Sequence, residues 1–133
     1  MSEAQARNIT FTEVFSDVRN GADKPEQHVL ASREEYEAWF EHSRRRYPPN
    51  AAEVDFEREV VLVVSAGRKS TTGHAIQVHR VVDLSTVLGV PVTCVLYKET
   101  APTASDGVGD ALTYPVHVVK VPRRDTQFVF ARG

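Results

Sequence analysis

Apolar and polar positions alternate at two different periods along this chain, and the period changes near residue 54. Ile9 and Phe11 alternate with Thr10 and Thr12 before Val14 and Phe15, which predicts a first strand over 8–15. The turn dipeptide Asn20-Gly21 follows, and a short strand at 26–31 is expected to pair loosely with the first as a hairpin. Ser32-Arg33-Glu34-Glu35 then reads as a capping box, in which the serine hydroxyl accepts from the Glu35 amide and the glutamate reaches back to the cap. Tyr36, Trp39 and Phe40 recur at helical spacing, so a helix is expected over about 33–46 with its rings on the core side. Arg44, Arg45 and Arg46 suit the negative end of its dipole, and Pro48-Pro49 prevents it from continuing.

Beyond residue 54 the pattern is one of strands and turns. Val60–Ser65 is apolar on both faces, as a central, doubly covered strand would be. Further strands are expected at 74–83, at 90–98 with Val90, Val92, Cys94 and Leu96 on one face, at 112–121 and at 127–131. Helix and strand do not alternate, which argues against a parallel doubly wound sheet. Short links favour antiparallel neighbours. The fold expected is therefore α+β: a mostly antiparallel sheet curled into a barrel or two-layer sandwich, with one main helix. In an up-and-down meander, loops 67–73 and 99–112 fall at one end and turns 84–89 and 122–125 at the other. Two glycine-containing loops on a rigid scaffold are the natural place for a binding surface.

Composition narrows the picture without naming a chemistry. At 133 residues and 14.8 kDa the chain fits a single domain, 1–133, with its own core. The net charge of −2 disfavours a nucleic-acid partner. That charge is uneven: residues 1–59 carry −5 and residues 60–133 carry +3. One cysteine, Cys94, allows no internal disulfide, and its apolar strand suggests a buried small hydrophobe. No apolar run approaches a membrane span. No export signal is legible in residues 1–27, so the chain as it stands reads as cytoplasmic, with a removed leader as the alternative.

Candidate chemistry is sparse. Gly67-Arg68-Lys69-Ser70-Thr71-Thr72-Gly73 has the wrong spacing for a phosphate loop and no helix behind it, although its cations, hydroxyls and amides suit an anion or acidic peptide. His28, His42, His74, His79 and His117 show no metal-ligand spacing, so neither a metal nor another cofactor is expected. His79 and His117 could face each other across strands. No Gly-x-Ser-x-Gly is present, and nothing beside Cys94 would activate a thiolate.

Several segments together resemble the PrcB-type C-terminal domain, a family named after a subunit of a bacterial surface protease complex. Val54-Asp55-Phe56 resembles the family's lead-in to its apolar strand. Gly67 to His74 occupies its glycine loop, and Glu99 and Pro102 resemble its acidic and proline positions. Thr113-Tyr114-Pro115 with Val118-Val119-Lys120-Val121-Pro122 resembles its final block. Two positions depart from the pattern: Thr72 stands for a glycine and His74 for a tyrosine. The resemblance covers about 54–122. It implies a non-enzymatic role in protein association, with a protease as one candidate partner. Arg68, Lys69, Thr71, Thr72 and His74 are the expected contact residues, with Asp106 as a further candidate. A protease inhibitor presenting loops 67–73 and 99–112, and a small-ligand or anion binder, are the alternatives.

Overall fold

The computed structural model describes residues 6–43, 54–103 and 107–133. Two four-stranded sheets lie face to face, and a helix covers the outer face of one of them. In chain order the elements are β1 (Arg7–Asn8), β2 (Thr12–Asp17), β3 (Pro25–Leu30), α1 (Arg33–His42), β4 (Glu59–Ala66) and β5 (Ala75–Asp83). They continue as α2 (Ser85–Leu88), β6 (Val92–Thr100), β7 (Val116–Pro122) and β8 (Gln127–Arg132). One sheet runs β1-β5-β6-β8 and the other β2-β7-β4-β3. Every pair is antiparallel except β6 with β8. The sheets do not close on each other, so of the two architectures expected the sandwich is the one formed.

β4 shows why two layers of core exist. Val60, Leu62 and Val64 point between the sheets, where they meet Ile76, Val78, Val81, Val95, Val119 and Val121. Val61 and Val63 point the other way, onto Tyr36, Trp39 and Phe40 of α1. A strand with an apolar set on each face can only sit in the middle of three layers. The helix is held at its start as expected: Ser32 Oγ accepts from the Glu35 amide at 3.2 Å. The Glu35 carboxylate closes the box one residue early, accepting from the Ala31 amide at 2.8 Å. α1 runs to His42 with Ser43 as its C-cap; Arg44–Arg46 and Pro48-Pro49 lie outside the described residues.

Several expectations are corrected. The single first strand is two strands in different sheets, because Ile9 and Phe11 turn into the space between the sheets as the chain crosses over. β2 and β3 form no hairpin; they lie at opposite edges of their sheet with β7 and β4 between them. The meander fails for the same reason, since β4, β6 and β7 each hand the chain to the other sheet. The strand expected at 112–121 starts at Val116, which leaves Tyr114-Pro115 in the preceding loop. On β6 the core face is Thr93, Val95 and Tyr97, so Cys94 is half-buried on the outer face rather than in the core. Burial raises its thiol pKa, which keeps it protonated and unreactive at neutral pH. Among the described residues no helix is long and apolar enough to cross a membrane.

Candidate functional site

The loops that follow β2, β4 and β6 do gather at one end, although the meander does not form. The chain between β4 and β5 pairs with the chain before β7: Lys69 and Thr113 exchange backbone hydrogen bonds at 2.8 and 2.9 Å. Thr113 Oγ1 donates to the Thr71 carbonyl at 2.9 Å. The loop between β2 and β3 joins them, since the Gly21 amide donates to Tyr114 O at 2.9 Å and the Tyr114 amide to Val18 O at 2.7 Å. The Arg68 amide donates to Asp23 O at 2.9 Å, and Ser65 Oγ accepts the Ala22 amide at 2.9 Å. Three segments far apart in sequence are thereby cross-linked into one platform.

The sequence-derived candidates divide by what they do in this platform. The Lys69 ammonium lies 2.7 Å from Glu99 Oε1 and Arg132 takes the other oxygen at 2.8 Å, so one carboxylate is shared by two cations and the lysine head is held inside the platform. The Thr71 carbonyl is the acceptor already described. Thr72 is a clamp: its amide donates to Gly109 O at 3.1 Å and its hydroxyl accepts the Gly109 amide at 2.8 Å. A side chain with a hydroxyl thus supplies a bond that a glycine at this position lacks. Thr72 does not need a left-handed backbone, because the positive φ falls on Gly67 (83°) and Gly73 (92°). A Cβ on Gly73 would meet Pro102 at 2.9 Å, which explains the close approach of the two loops. Arg68 is exposed and His74 is half-buried. Asp106 lies outside the described residues. Of the candidates described, Arg68 is the one left facing solvent with a charge.

Residues that the sequence did not single out complete the surface. Val18, Val108 and Leu112 are exposed by 40%, 42% and 58% on the converging loops, while Val87, Leu88 and Val90 are as exposed around α2 at the opposite end. Val18, Arg19, Thr72, Leu112 and Tyr114 line a groove of about 360 Å³. A larger and more open groove of about 440 Å³ lies elsewhere, beside β1 and β5, where two of the lining polar side chains bind each other: Arg80 Nε donates to Asn8 Oδ1 at 2.8 Å. The signal for the loop-end surface was weak in sequence, because single valines and leucines in loops have no period to mark them. The opposite end gathers as expected too, with Arg124 bound to Asp83 at 2.7 Å; hydrogen bonds from Ser85, burial pulling the other way, and then the Arg124 and Arg7 charges leave the Asp83 pKa below its usual value.

Two polar centres brace the layers toward the loop end. His117 on β7 accepts the Val78 amide through Nδ1 at 2.9 Å, linking the two sheets, so the proton sits on Nε2 and is donated to Glu13 at 2.8 Å. The expected pairing of His79 with His117 does not occur: β5 and β7 belong to different sheets, and the imidazole bonds the backbone next to His79. The second centre is Glu26 on β3. Its Oε1 takes His28 Nε2 at 3.0 Å and Trp39 Nε1 at 3.3 Å, and its Oε2 takes His42 Nε2 at 2.9 Å. Burial alone would raise the Glu26 pKa, and the His42, His28 and Trp39 hydrogen bonds outweigh it and hold the pKa below 4.5. Among the described residues no group of three or more His, Cys, Asp or Glu side chains is arranged to hold a metal ion.

These centres give stability two acid windows. Burial lowers the His117 pKa below 6.5, and the Glu13 contact only partly offsets that. The unfolded chain therefore binds the His117 proton first, and the stability it contributes is whole above pH 6.5 and falls as pH drops toward the lowered folded value. The Glu26 contribution is whole above pH 4.5 and is lost only below it. Urea unfolding at successive pH values should show the first decline starting near 6.5, and His117→Gln should remove that decline while keeping the one below 4.5. An unchanged profile in the variant would rule out His117 as its source.

Residues 60–122 match the model of the family described as PrcB C-terminal, which bears out the resemblance over the stretch from β4 through β7. Neither a curated protein nor a solved structure matches the chain.

Proposed function

From a chain whose β4–β7 region is a PrcB C-terminal match, we propose a non-enzymatic association module that binds a protein partner, a protease among the candidates, through its loop end. The observation that carries this is the platform itself. Its loops are rigidly cross-bonded, yet they leave Val18, Val108 and Leu112 in water beside the charged Arg19 and Arg68. An apolar centre rimmed by polar groups is the usual anatomy of a protein interface. Lys69, Thr71 and Thr72 act in this reading as the frame rather than as contacts, because their polar groups are already used inside the platform.

The test is affinity capture from the native host with the wild-type chain and with a triple variant, Arg19→Glu, Arg68→Glu and Leu112→Asp. These side chains are exposed, so stability should change by only about 0.5 kcal/mol per site. The captured partner should be lost from the variant. Retention of the same partner at the same yield would overturn the assignment of this surface.

A further inference from the structure

The four strand edges of this sandwich differ in how they are protected. β1 is two residues long, and β2 is broken by a bulge between Glu13 and Phe15. β3 starts on Pro25 and is flanked by the Glu26–His28–His42–Trp39 cluster. Shortness, bulges, prolines and covering elements are the devices that keep sheet edges from pairing. β8 has none of these among the described residues; of the charged side chains that also guard edges it carries one, Arg132 at its last position, drawn onto Glu99. Its six residues hold unbroken register with β6 from Val92↔Gln127 to Tyr97↔Arg132, and they contain no proline.

The direction of its backbone groups can be read from its ends. The Gln127 amide donates to Pro91 O at 3.1 Å and the Gly133 amide to Tyr97 O at 3.0 Å. Odd-numbered residues therefore face β6, and Phe128, Phe130 and Arg132 turn their N–H and C=O groups outward. Phe128 and Phe130 direct their rings between the sheets, and Val129 lies on the outer face opposite Cys94.

We propose that the β8 edge is a self-association surface, on which two copies of the chain pair antiparallel about Val129 to make one continuous eight-stranded sheet. In this register Phe128 exchanges both backbone hydrogen bonds with Phe130 of the second copy, and the facing rings fall on the same side of the sheet. Val129 meets its own counterpart on the other side. Hydrogen-bond parity and face parity agree, and cross-strand aromatic pairs are favourable. The register centred on Phe130 obeys the same parity but sets Phe128 against Arg132. The Arg132 guanidinium is drawn onto Glu99, which it shares with Lys69, and in the Val129-centred register it does not face its own counterpart. A single strand pair is smaller than a standard interface, so the dimer is weak, with Kd on the order of 100 μM.

Sedimentation of the full chain from about 10 μM to 1 mM tests this, the range bracketing such a Kd. Wild type should move from monomer to dimer. Val129→Lys and Val129→Glu should each stay monomeric, because the residue faces itself, and an equimolar mixture of the two should dimerise. Hydrogen exchange needs no variant: the outward amides of Phe128 and Phe130 should be protected only at high concentration. The loop-end triple variant should dimerise like wild type, which separates this surface from the proposed partner site. A wild type that stays monomeric, exchange independent of concentration, or folded variants whose mixture does not pair would each overturn the proposal.

Discussion

Phe40→Ala should lower the unfolding free energy by about 3–5 kcal/mol. The ring is fully buried and touches three others, with centroids 5.5 Å from Phe15, 5.0 Å from Tyr36 and 5.0 Å from Trp39. Truncation removes the ring's own transfer energy and leaves a hole. The floor of that hole is Val61, Val63, Val116 and Val118 on two paired central strands, which cannot collapse inward without breaking ladder bonds. The better helix propensity of alanine returns only about 0.5 kcal/mol. Urea denaturation should show the loss as a lower midpoint with the slope retained. A cost under about 1 kcal/mol, far outside the range for such truncations, would mean that α1 does not pack on this sheet as described.

Gly21→Ala should cost about 2–4 kcal/mol and dismantle the loop platform. The constraint here is space, since Gly21 is not among the residues with positive φ. An added Cβ would stand 2.7 Å from Tyr114 O, 2.8 Å from Ser65 Oγ and 3.0 Å from Pro115 O. Two of these are backbone atoms and cannot swing aside. Relief requires the β2–β3 loop to lift, which breaks the Gly21–Tyr114 and Ala22–Ser65 hydrogen bonds together. Gly107→Ala is the control, because its added Cβ meets nothing within 4 Å. Thermal or urea unfolding reports the cost, and capture of the partner should fall with it. If Gly21→Ala is as stable as Gly107→Ala, the three loops are not joined as described.

The two substitutions also mark how far the sequence could be read. Phe40 was legible as core because Tyr36, Trp39 and Phe40 recur on one helical face behind a serine cap. Gly21 was legible only as a turn. Its neighbours Tyr114 and Ser65 are supplied by distant parts of the chain. Among the site candidates, loop 67–73 was visible from its glycines and polar run, but its residues could not be sorted into frame and contact. That sorting depends on Glu99, Gly109 and Thr113, which meet Lys69, Thr72 and Thr71 only after folding.

What the sequence determined by itself is therefore local: which segments are strands, where the helix starts, that β4 is covered on both sides, and that no familiar catalytic motif is present. Tertiary structure decided which strands are neighbours. Alternation specifies a face but not a partner, so the split of 8–15 between two sheets, the placement of β2 and β3 at opposite edges and the parallel pairing of β8 with β6 had no local signature. The same holds for the polar centres. Glu26 has His28 two residues along its own strand, but it meets Trp39 and His42 only when α1 docks, and His117 meets Val78 and Glu13 only when the two sheets close. Even the apolar residues exposed at the loop end become a surface only because three loops are tied together there.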